Sequence, residues 1–103
     1  MKYLLLVCSD ESVQTIPEPV EPWVEEMDGR GVRLEGDRLR PVSDATTVSE
    51  GGRMIVDGPF AETKEQIAGY DVIECADLEE AIEVAAKHPM AKIGAIEVRP
   101  FWQ

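Results

Sequence analysis

Asp57, Phe60, Glu62, Lys64 and Tyr70 lie close together in the stretch VDGPFAETKEQIAGY, the part of the chain richest in groups that could do chemistry. An apolar run, Met54-Ile55-Val56, stops at Asp57-Gly58-Pro59, and charge follows at Glu62, Lys64 and Glu65. A carboxylate at a strand end, beside an aromatic wall and a lysine–glutamate pair, suits proton transfer on a small molecule. In that arrangement Asp57 is the general base, Phe60 the apolar wall, and Glu62, Lys64 and Tyr70 orient the substrate or donate protons. The same residues also fit a strand-terminating turn, in which Gly58 and Pro59 shape the backbone and Asp57 caps a local N–H. The direction of the Asp57 carboxylate separates the two. It either faces a concave pocket with an open oxygen or is bonded to the backbone of residues 62–65.

A second set depends on strand faces. Tyr70, Val72 and Glu74 share one face by the period of two, and Glu97 and Arg99 share the face opposite Ile96 and Val98. Looking into a cavity, Glu97 and Arg99 are ligand contacts, together with Phe60; looking at solvent, they are surface charges. Trp23 and Trp102 are expected to pack a helix and the last strand rather than stack on a ligand. His88, the single histidine, stands before Pro89 at the end of a helix, where the dipole favours it. One histidine and two cysteines without metal spacing predict no metal site, and no loop has calcium-binding spacing. Cys8 and Cys75 sit in apolar, strand-like contexts and are expected to be reduced core thiols.

These groups must be held by elements that the hydropathy pattern marks out. Residues 3–8 (YLLLVC) are continuously apolar, a strand buried on both faces. Val20, Trp23, Val24 and Met27 form a helical stripe, with Pro22 in its first turn and Gly29 or Gly31 at its end. Residues 32–39 alternate as a half-exposed strand in which Gly36 would mark a bulge. The runs 45–48 and 53–57 flank Ser49-Glu50-Gly51-Gly52 as a hairpin. Residues 67–75 form another strand. Asp77 and Glu80 then make a capping box before the stripe Leu78, Ala81, Ile82 and Ala85, and residues 94–101 form the last strand.

This order predicts an α+β chain, a ferredoxin-like split βαβ sheet with an inserted β-hairpin, forming one domain over residues 1–103. Two helices cover one face of such a sheet. The first strand is apolar on both, so a second copy is expected to cover the other, giving a homodimer.

Composition narrows the partners. With 21 acidic against 10 basic residues the net charge is −11, which excludes nucleic acid and anionic membrane surfaces as natural partners. The apolar start at residues 4–8 is too short for a signal core and is followed by Asp10 and Glu11, so a cytoplasmic location is expected.

The segments MKYLLLV, TTV, VDGPFAETKEQIAGYDVIECADLEEAIEVAAKHP and GAIEVRPF together resemble the DGPF-domain proteins of the YCII-related family. The resemblance covers nearly the whole chain apart from residues 12–22. It implies a dimeric α+β barrel, no bound cofactor, and a small molecule as ligand or substrate. It equally implies a regulatory or interaction module, since such proteins are associated with sigma-factor-type transcription control. Some members are thought to use a His–Asp pair; His88, placed late in the chain, departs from that pattern.

Overall fold

In the computed structural model, residues 1–10, 18–61 and 65–102 are described. β1 (Lys2–Ser9) is followed by α1 (Glu21–Gly29), β2 (Arg33–Arg38), β3 (Thr46–Ser49), β4 (Met54–Asp57), β5 (Gln66–Glu74), α2 (Leu78–Ala86) and β6 (Ala95–Pro100). Four of the strands make an antiparallel sheet in the order β2-β5-β1-β6, while β3 and β4 pair only with each other. This is the ferredoxin-like order with a hairpin inserted between its second and third strands, as the element order predicts.

Both helices lie on one face of the sheet. Tyr3, Leu5 and Ile73 meet Trp23 and Met27 of α1 and Ala81, Val84 and Ala85 of α2 in a single core. Trp23 ties the helices together, because its indole N–H donates to the carbonyl of Val84 at 3.0 Å. The polar edge of a buried ring is thereby satisfied. Cys75 is a buried free thiol pushed up to about 11, chiefly by burial, and is therefore inert.

Several local expectations are corrected. α2 buries Ala81, Val84 and Ala85, whereas Leu78 and Ile82 are exposed. The small residues let α2 approach the sheet closely, and the larger ones are turned out. The irregularity in β2 falls between Arg33 and Glu35 rather than at Gly36. Gly36 instead makes room for a neighbour, since a Cβ there would overlap Asp71 Oδ1. Trp102 packs against nothing and is fully exposed. In β1, Tyr3, Leu5 and Val7 are buried beneath the helices, while Leu4 and Leu6 on the other face are only half-buried. Among the described residues no helix lies on that second face.

The cap of α2 matches its sequence signature. Asp77 accepts from the Glu80 N–H at 2.9 Å, and Glu80 Oε1 accepts from Ala76 at 2.8 Å, one residue earlier than the cap itself.

Candidate functional site

The sheet face beneath α1 has a gap in its side-chain cover. Gly36 on β2 and Gly69 on β5 both lie on that face: Gly36 is opposite Asp71, and Gly69 is opposite Val7. Gly69 adds no side chain to this face, and the space over Gly36 is taken by the carboxylate of Asp71, so the cover beneath α1 is thin there. A cleft of about 680 Å³ remains, lined by Val24 of α1 and Val20 just before it, by Val7 and Gly69 of the sheet, and by His88 and Pro89.

Asp71 is the buried acid of this cleft, 6% exposed. Leu5 faces it from β1, fixing its side chain on the helix side of the sheet. Its Oδ1 accepts from Arg33 Nε at 2.9 Å. Arg33 also donates through Nη1 to Asp28 at 3.3 Å and through Nη2 to the Gly36 carbonyl at 3.0 Å. Burial raises the Asp71 carboxyl above its ordinary value and outweighs the opposing pull of the Arg33 guanidinium. Asp71 Oδ2 bonds nothing among the described residues. Among those residues no sealed-off side-chain nitrogen or oxygen lacks a partner, so Oδ2 is open to water.

His88 also borders the cleft, and its environment differs from that of a solvated helix end. It is 4% exposed, and the edge of its ring meets Trp23 with centroids 4.7 Å apart. It follows α2 and caps the next turn, its Nδ1 accepting from the Met90 N–H at 3.0 Å. Burial lowers its affinity for a proton. A neutral ring that accepts through Nδ1 carries its proton on Nε2. The expected favourable charge at a helix end is therefore replaced by a neutral ring with a fixed tautomer, presented as a donor. A carboxyl of raised basicity and a neutral imidazole N–H in one cleft can together take up and deliver protons.

The residues singled out in the sequence are distributed differently. Asp57 ends β4 on the separate hairpin; it is exposed, borders neither this cleft nor its smaller neighbour, and its carboxylate bonds nothing among the described residues. The backbone of its motif is architectural instead. Gly58 has φ of 109°, accepts from Thr47 Oγ1 at 2.7 Å and donates to the Ala45 carbonyl at 2.7 Å. The motif thus closes the hairpin with a conformation that favours glycine. Phe60 is 89% exposed and borders neither of the two clefts. Glu62 and Lys64 lie outside the described residues.

Tyr70 is adjacent to Asp71, but its partner Leu6 places its side chain on the helix-free face. Glu97 and Arg99 share that face, where they are exposed and form an ion pair with each other. Of the described residues of the expected site, Tyr70 alone borders the cleft. Among the described residues no group of three or more histidine, cysteine or acidic side chains is placed to hold a metal ion. Among the described residues no helix is long and apolar enough to cross a membrane.

Asp71 could have been found from the sequence. It is in phase with Ile73 and Cys75, the buried face of its strand, and an acid in that phase is a buried charge needing a partner. His88 gave no such signal, because its burial depends on how α2 and the following turn fold back.

Comparison with known proteins bears on the whole chain. The model of the YCII-related domain matches residues 1–103. An uncharacterised protein of Rhizobium meliloti (strain 1021) is 37% identical, over 97% of this chain and 91% of its own length.

Proposed function

The chain belongs to the YCII-related family, and from that footing we propose that it binds a small molecule beneath α1 and acts on it by proton transfer without a cofactor. The observation that carries the proposal is the carboxyl of Asp71, nearly buried, raised in basicity, and open through one oxygen to a cleft that also holds His88. Asp71 is the proton acceptor. Arg33 holds its other oxygen and keeps the carboxylate from swinging away. His88, neutral and donating through Nε2, hydrogen-bonds the oxygen on which charge develops. Val20 and Val24 exclude water from the apolar part of the ligand.

Hydrogen–deuterium exchange at carbon tests the assignment. Small carbonyl compounds with an acidic C–H are incubated with the protein in D2O, and the loss of that proton is followed by NMR. Exchange is expected with the parent protein and should fall roughly 10²–10⁴-fold in Asp71→Asn, the usual worth of a positioned general base. The isosteric change leaves the fold intact, which circular dichroism checks. Exchange that persists in Asp71→Asn removes Asp71 from the chemistry. Binding without exchange in the parent protein leaves a binding module instead.

A further inference from the structure

The geometry points to an oxyanion, carboxylate or phosphate on a small apolar body, as the ligand class of the cleft, with Arg38 receiving the anionic group. The inference rests on the cleft being a binding site and concerns what it selects.

Among the arginines placed in the structure, most are already occupied. Arg30 pairs with Glu26 and Glu83, Arg40 with Asp44, and Arg99 with Glu97. Arg33, the other cation of the cleft, commits Nε and both terminal nitrogens to Asp71, Asp28 and the Gly36 carbonyl. Arg38 borders the same cleft, and its guanidinium forms no hydrogen bond or ion pair among the described residues. Arg38 is an exposed residue that also borders the adjoining cleft of about 380 Å³.

The register supplies the rest. Arg38 lies opposite Gly69, and Gly36 lies opposite Asp71, so Arg38 and Asp71 share the helix-side face. Their positions are two residues apart along the strands, a backbone offset of about 7 Å. Gly69, opposite Arg38, puts no side chain of its own over the sheet there, while the space over Gly36 holds the Asp71 carboxylate itself. A single aromatic ring with its acid group spans that offset, with its body against Val20 and Val24.

The acids nearby do not cancel this charge. Glu18 is held by Lys92 at 2.7 Å and Asp71 by Arg33, while Asp37 pairs with Tyr70 and so belongs to the opposite face. Among the described residues, Glu21 is the remaining acid at the cleft and stands on the first residue of α1 rather than on the sheet. In a chain of net charge −11, a partnerless guanidinium in a cleft is the feature that would draw in an oxyanion, through its planar pair of donors.

Trp23 supplies the readout, since it touches His88 at the end of the cleft. In a Trp102→Phe background, benzoate, phenyl phosphate and neutral benzamide are titrated and Trp23 fluorescence is followed. At least one of the two anions is expected to bind more tightly than benzamide, and their ratio distinguishes carboxylate from phosphate. Arg38→Gln should weaken that anion about tenfold and leave benzamide unchanged. Arg38→Lys, which keeps charge but loses the fork, should fall between. Glu21→Gln should leave the anion as tight or tighter. Benzamide binding as tightly as the anions, unchanged anion affinity in Arg38→Gln, or no response to any of the three overturns the inference. Val20→Trp, which fills the cleft from an exposed position, should abolish all binding. Because the new tryptophan at position 20 would obscure Trp23, binding to this variant is read by calorimetry, and anion binding that survives it refutes the cleft itself, a separate failure from loss of anion preference.

Discussion

His88 and Asp71 are both buried ionisable groups, and burial drives their proton affinities in opposite directions, down for the imidazole and up for the carboxyl. The consequence for stability follows from linkage. Below the ordinary histidine value of 6.5 the unfolded chain binds a proton at His88 that the folded chain resists. Stability contributed by the neutral ring is thus present above 6.5 and lost as pH falls from there toward the lower folded value. Each tenfold difference in proton affinity is worth about 1.4 kcal/mol. Asp71 acts with the opposite sign: its contribution is greatest at low pH and is eroded as pH rises from 3.8 through its raised folded value. The melting temperature is expected to fall between about pH 7.5 and about pH 5.5, and His88→Gln should flatten that slope. Equal slopes in the two proteins would show that His88 does not govern this window.

At the scale of elements, the two helices have different anchors. α1 begins without a side-chain cap and depends on Trp23 and Met27 in the core. α2 is stopped at its start by Asp77 and Glu80 and buries only small residues and one valine. Asp77 is exposed and its side chain accepts only the Glu80 N–H, so Asp77→Ala isolates the cap. A loss of about 1 kcal/mol is expected, read as a drop of about 4–8 °C in a thermal melt. An unchanged melting temperature would mean that packing alone sets the start of α2. The hairpin of β3 and β4 follows a different rule. Glu50, Gly51 and Gly52 turn it with positive φ, and Gly58 closes it, while Val48, Met54, Ile55 and Val56 are all exposed. Its turn chemistry, rather than a core of its own, specifies its shape.

The molecule as a whole is flat, 43 × 37 × 18 Å, and its radius of gyration of 15.0 Å exceeds the roughly 13 Å usual for this length. One face of the sheet carries both helices, and the other presents Leu4, Leu6 and Val72 beside Tyr70, Glu97 and Arg99. We propose that a second copy covers this face, because a domain of this size gains much from further burial and Leu4, Leu6 and Val72 are left half-buried without it. Sedimentation should give twice the chain mass, and Leu6→Glu should shift the equilibrium to monomer while leaving the fold intact. With −11 on each chain, added salt should strengthen the association. A monomer at all concentrations, or an unaffected Leu6→Glu dimer, contradicts the proposal.

Local signals determined much of this protein. The apolar runs, the Asp77–Glu80 cap and the Ser49–Gly52 turn are short-range, and the strands, α2 and the hairpin appear where they predict. The order of those elements is enough for the ferredoxin-like sheet, because split βαβ connections leave few alternatives. The cleft is another matter. It joins Arg33, Arg38, Asp71 and His88 from β2, β5 and the turn after α2, positions that only strand pairing and helix docking bring together. Asp57 and its neighbours form a conspicuous local cluster, yet they are carried on a hairpin that pairs away from the main sheet. Spacing along a chain reports which groups are near in sequence; burial, which sets their acidity, is a property of what folds over them.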